Sequence, residues 1–431
     1  MLIRIISVVL AALLLAACFP ADAGAPAPNP AAVSTAVPAP VTITWAFWGD
    51  PWEVEINERV VQIFENDHPG IKVETFHRPW QNYFTELRAK FNHGEPTPDV
   101  LFWAEAANDV PGGHFLDLTP LIESDNYPLT DFFPGLLTHF KVGGGLYGFP
   151  RDSDTKVIFY NKRLLNRADI PFPKAGWNWA DLRRAALDIK AANVTNYSFA
   201  YEANDWWMVW MWQNNVDIFD DKLFPTQTHL NDPAAAQAVQ FLADLTNVDG
   251  VTPPYEQLNS TDIAALFSAG QVAMVFGNHA LIPAFADITD FEWDVAPLPR
   301  QKRQANVAAG AGYVIAANTP HPDAAWTFLK FLASPKGQAI FTESGVVVPA
   351  RRSVAQSDIF MNQTPRHNAQ AFLDGTEIGE PTYAFPGADE ITGLINQALT
   401  PVWRGEQDAA GALNAILPEI KAILAKNRGN L

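Results

Sequence analysis

VTITWAFWGDPWEVEINERVVQIFENDHPGIKVETFH, residues 41–77, decides the fold. Residues 41–48 alternate as a strand does and run into Gly49-Asp50, a turn pair. Residues 53–70 then place Ile56, Val60, Ile63 and Phe64 at helical spacing and stop at Pro69-Gly70, after which residues 71–77 read as a second strand. Further on, residues 80–94 predict a helix closed by Gly94, and residues 98–104 predict a third strand. Strand, helix, strand, helix, strand implies a parallel sheet with helices on its faces, and such sheets bind ligands beyond the carboxyl ends of their strands. The residues at those ends are Trp48, Gly49 and Asp50, then His77 to Trp80, then Trp103 to Glu105. They are aromatic and acidic.

The chain before this stretch has a different character. Met1 to Arg4 carries one positive charge, Ile5 to Ala17 is an apolar run too short to span a membrane, and Leu15-Ala16-Ala17-Cys18 resembles a bacterial lipobox, in which the thiol is acylated and the chain cut before it. Cys18 is the one cysteine among 431 residues, so its expected role is lipidation, with residues 1–17 as a signal peptide. Residues 18–40 are almost entirely Ala, Pro, Gly, Ser and Thr and read as an extended tether. With no second cysteine, no intramolecular disulfide is possible.

Beyond the tether the chain is longer than one hydrophobic core usually supports, so two lobes are expected. A net charge of −18 argues against nucleic acid, whose phosphates need a basic face. Enzyme signatures are weak. Gly143, Gly145 and Gly148 match GxGxxG, but Phe149-Pro150 follows where a dinucleotide site needs a helix, so this is read as a turn. The nine histidines form no HExxH motif, and there is no Walker A loop or GxSxG elbow. Neither a metal nor a cofactor is expected. A glycoside hydrolase needs only a suitably spaced carboxylate pair, which a sequence this rich in acids leaves open.

FENDHPGIKVE (64–74), PDVLFWAEAAND (98–109), LYGFPRDSDTKVIFYNKRLL (146–165), FSAGQVAMVFGN (267–278), DVAPLPR (294–300) and AAWTFLKFLASPKGQ (324–338) occur in an order and spacing that resembles the extracellular solute-binding proteins of bacterial ABC importers, in the group that includes maltose and other carbohydrate binders. The resemblance covers nearly all of residues 41–431. It implies an α/β, two-lobed periplasmic-binding-protein fold of type II, maltose-binding-protein-like, with the ligand cleft between the lobes and three chain crossings. Those fall near Pro150 to Thr155, Val307 to Gly312 and Arg351 to Met361. Lobe one is then 41–152 with 308–354, and lobe two 153–307 with 355–431.

By the same resemblance the function is capture of a sugar or short oligosaccharide by a lipid-anchored monomer outside the cytoplasmic membrane, which passes it to ABC permease subunits. Sugar rings present C–H faces that pack on aromatic rings and hydroxyls that donate to carboxylates and amides. The ligand-binding candidates are Trp48, Asp50, Trp80, Trp103 and Glu105 in lobe one, with Asp154, Asn204, Asp205, Trp206, Trp207, Asn278, His279 and Glu390 in lobe two. The resemblance is best at Asp50, at Trp103 to Glu105, and at Asp154, six residues before Tyr160. Of Trp206 and Trp207 one is expected to face the cleft, while Trp45, Trp177, Trp179, Trp210, Trp212 and Trp326 are assigned to packing. His279 stands where the group carries a tryptophan, and Asp389, Glu390 and Thr392 offer no aromatic ring, which weakens stacking in lobe two. A glycerol-phosphate or glycerophosphodiester binder is the rival of the same fold, with Arg78, Arg151, Lys156 and Arg351 as its cations.

Overall fold

The computed structural model describes residues 40–428, except 50, 105, 205 and 261. The proposed signal peptide, Cys18 and the tether up to residue 39 lie outside the described residues, as do Asp50, Glu105 and Asp205.

The opening stretch folds as its pattern dictates. Strand β1 (Val41–Trp48) leads into helix α1 (Pro51–Asp67), strand β2 (Ile71–Arg78), helix α2 (Trp80–His93) and strand β3 (Val100–Ala104). Helix α1 buries Asn57, Val60, Val61 and Phe64 on one face. Gly94 ends α2 in the left-handed region at φ 66°, where glycine has no Cβ penalty.

β1 pairs in parallel with β2 along its whole length and with β3 at Trp45 and Ala46. Two later strands complete this five-stranded sheet. Ala311–Ile315 runs antiparallel to β3, and Gly148–Pro150 runs antiparallel to Ala311–Ile315. The sheet is therefore mixed, because strands that return from a distant part of the chain are free of the βαβ crossover constraint.

A second, four-stranded sheet has the order Trp293–Ala296, Lys156–Asn161, Val272–Asn278, Tyr197–Ala200. Gly148 of the GxGxxG match begins the strand Gly148–Pro150, while Gly143 and Gly145 fall in a hairpin in which Lys141 pairs with Leu146 and Val142 with Gly145. Gly143 and Gly144 form its two-residue turn at φ 58° and 91°, positions that suit glycine in a tight hairpin.

Short two-strand pairings and a buried amide secure the segments beside the two sheets. Asp152–Ser153 pairs with Val348–Pro349, and Asn306–Val307 pairs with Gly379–Glu380. Gln338, 1% exposed, donates to the Pro150 carbonyl and accepts from the Arg351 N–H, each at 2.9 Å. No helix among the described residues is long and apolar enough to cross a membrane.

Candidate ligand-binding cleft

A cavity of about 400 Å³ is faced from both sheets. Trp80, the first residue of α2, reaches it from the five-stranded side, while Asp154, Lys156, Glu202, Trp206, Phe276 and Asn278 line it from the four-stranded side. A larger hollow of about 720 Å³, lined by Lys162, Arg163 and Phe291 among others, lies between the helix Lys162–Arg167 and the loop 288–292, with no residue from the five-stranded side.

Each wall has an identifiable support. Trp80 is 52% exposed, and its ring meets Trp48 edge-on at 5.1 Å, while Trp48 stacks on Phe102 at 4.1 Å. Trp48 is thus half-buried and backs Trp80 in an aromatic column. Asp154 accepts from Asn278 Nδ2 and from Lys156 Nζ, the latter at 3.1 and 3.3 Å from its two oxygens. The Lys156 ammonium lies 4.2 Å from the centre of the Trp206 ring. Trp206 caps the helix Trp207–Gln213 with φ 58° and ψ 14°, a left-handed conformation that costs a bulky residue about 1–3 kcal/mol and that clusters at ligand sites.

Of the sequence-predicted residues, Trp80, Asp154, Trp206 and Asn278 meet in this cavity. Others do not. Trp103 is fully buried, with Phe84 and Phe115 at 5.1 and 5.3 Å and its indole N–H donating to Asp109 at 2.9 Å. It belongs to the core, because β3 is paired on both edges and α2 covers the face on which the ring sits. Trp207 is 2% exposed and donates to Asn396, so it is Trp206 that faces the cleft. His279 is buried against Phe360 and Phe372, and that burial holds its imidazole down at about 3. It packs where a ligand contact was expected. Asn204 donates to Tyr255 and Asn259, and Glu390 is exposed in the first turn of the helix Ala388–Trp403; neither lines the cavity.

Sequence reasoning missed Glu202 and the apolar floor of Ile263, Phe276 and Leu281. Glu202 was within reach of the strand-end rule, since it comes two residues after the strand Tyr197–Ala200. Lys156 was read only as a phosphate cation, and the cavity pairs it with a carboxylate instead.

The arginines named with it are engaged elsewhere. Arg151 is buried, donates to Glu53 at 2.5 Å and Asp152 at 2.7 Å, and lies 3.9 Å from the Phe102 ring. Arg351 donates to Asp131 and Tyr127, and Arg78 pairs with Glu86. Among the described residues, none of the three lines the cavity.

Two mixed sheets flank a polar-aromatic cleft. The family model of the bacterial extracellular solute-binding protein matches residues 48–339. This chain belongs to that family.

Among curated relatives, this solute-binding protein is 24% identical over 386 residues to a putative binding protein of Brucella abortus, covering 86% of this chain and 90% of the relative. It is 24% identical over 391 residues to the galactooligosaccharide-binding protein of Bacillus subtilis, covering 89% of this chain and 90% of the relative. Its fold is that of the sugar-binding protein MalE from Xanthomonas citri, with a TM-score of 0.80 at 24% identity over 90% of this chain and 98% of that one. The solute-binding fold is thereby of the maltose-binding-protein-like type, as the resemblance implied.

Proposed function

We propose that this solute-binding protein captures a neutral sugar or short oligosaccharide and delivers it to the permease of an ABC importer, without chemical change. The observation that carries this reading is the cavity that sets the exposed ring of Trp80 and the ring of Trp206 around Asp154, Glu202 and Asn278. Rings pack on sugar C–H faces, and the carboxylates and amide meet hydroxyl groups. The galactooligosaccharide-binding relative supports the ligand class. A thermal-shift screen against a carbohydrate panel tests it: a ligand at 100 times its dissociation constant stabilises the fold by about 2.7 kcal/mol. Reducing ends released from an oligosaccharide on incubation would instead identify a glycoside hydrolase.

The glycerophosphodiester reading is weaker. A phosphate calls for unspent cations, and Arg78, Arg151 and Arg351 are each committed to acids. The lobe division proposed above, 41–152 with 308–354 and 153–307 with 355–431, keeps each sheet whole, which supports closure of the two lobes about the crossings.

Anchoring through lipidated Cys18 and a monomeric state belong to the same proposal. Cys18→Ala should leave a protein that is released or kept as precursor, whereas firm membrane retention after signal cleavage contradicts the anchor.

A further inference from the structure

We infer that Lys156 occupies, from within the chain, an amine-binding position in the cleft, and that this internal ammonium reserves the site for uncharged polyols. The inference rests on the carbohydrate reading only for the identity of the polyol.

A carboxylate beside an aromatic face is the arrangement that binds cationic amines. Asp154 and Trp206 make such a pair, and the Lys156 ammonium lies between them, 3.1 Å from the nearer carboxylate oxygen and 4.2 Å from the ring centre. Lys156 is 4% exposed, so its charge is presented to these partners and hardly to solvent. Its backbone is fixed as well, because the Asn306 side chain bonds both its N–H and its carbonyl. The ammonium thus has three tasks. It aims Asp154, it holds the left-handed Trp206 in place, and it cancels one of the two carboxylate charges, Asp154 and Glu202, on the cavity wall.

A ligand amine would meet this occupied position and a like charge. A ligand hydroxyl needs only a free lone pair, and Asp154, whose side chain is 30% exposed, turns part of its carboxylate toward the cavity. Removing the ammonium leaves two carboxylates beside an indole face, which favours amines over hydroxyls.

The test uses Lys156→Ala, whose missing side chain leaves room for a short alkylammonium. Propylammonium chloride should raise the melting temperature of Lys156→Ala by several degrees over equal concentrations of propanol or sodium chloride, and leave the wild type unchanged. The rescue should vanish in Lys156→Ala with Asp154→Asn. Equal responses to propylammonium and propanol would overturn the inference.

Lys156→Met keeps the packing of the aliphatic stem and serves should the alanine variant not fold. In it, calorimetric affinity for a glucosamine trimer relative to cellotriose, maltotriose and galactotriose should rise at least tenfold over wild type. An unchanged ratio overturns the selectivity claim. Amine rescue in a protein whose wild type binds none of the neutral trisaccharides would leave the internal amine site standing and count against the carbohydrate reading.

Discussion

The side chain of Asn306 holds the backbone of Lys156 in both directions, accepting from its N–H at 3.0 Å and donating to its carbonyl at 2.7 Å. Lys156 opens a strand of the four-stranded sheet and Asn306 lies 150 residues further along the chain, and Asn306 is only 2% exposed. On the other side, Gln338 bonds Pro150 and Arg351 in the same two-way manner. Under the lobe closure proposed above, these amides bracket Asp154-Thr155 and Ala308 to Gly310 in the first two crossings as the chain that would absorb a change of dihedral angle.

Asn306→Ala should therefore destabilise the fold by about 1–3 kcal/mol for each buried backbone group it strands. Gly375→Ala probes the same place from outside, since a Cβ there would fall 2.5 Å from both Asn306 Nδ2 and Thr155 Oγ1. Urea denaturation measures both. Unchanged midpoints would mean that the clasp is not a structural element.

Trp80→Ala and Trp103→Ala should separate binding from stability. Trp80 is half-exposed at the cavity, so its loss should cost about 1–3 kcal/mol of sugar affinity with little change in melting temperature. Trp103 is fully buried, so its loss should cost about 3–5 kcal/mol of stability. Calorimetry and thermal denaturation of the two variants check this, and the reverse pattern contradicts the placement of the cleft.

Acid should destabilise the protein partly through its buried imidazoles. Burial lowers His279 to about 3 and His139 to about 4, so below the ordinary value near 6.5 the unfolded chain binds protons that the folded one refuses. Stability then falls as pH drops from about 6.5 toward 3, by about 1.4 kcal/mol per pH unit for each such group while its folded form stays neutral. His279→Leu should flatten that slope relative to wild type when unfolding is followed across this window. Parallel curves for the two proteins would remove His279 from the account.

The elements were legible in the sequence and the site only in part, for a physical reason. Periodicity and glycine stops reflect local backbone preference, which is why β1, α1, β2 and α2 emerged within a few residues of their limits. Facing is decided by packing far away along the chain. Trp103 and Trp80 both stand at strand ends, yet α2 covers one and leaves the other open. Trp206 and Trp207 are neighbours, and the left-handed turn at Trp206, invisible in residue type, decides which of them meets the cleft. Lys156 was read as a phosphate cation because Trp206 comes to it from a separate segment, and because its pairing with Asp154, two residues earlier, depends on side-chain directions that residue type does not give.

The central claim, an uncharged sugar held by aromatic faces and hydrogen-bond acceptors, is tested most directly by calorimetric titration of neutral oligosaccharides and of glycerophosphodiesters at low and high salt. The account predicts binding of a neutral sugar with an affinity that hardly changes with salt, since no ligand charge is there to be screened. Binding of a glycerophosphodiester alone, with affinity that falls as salt rises, would contradict it.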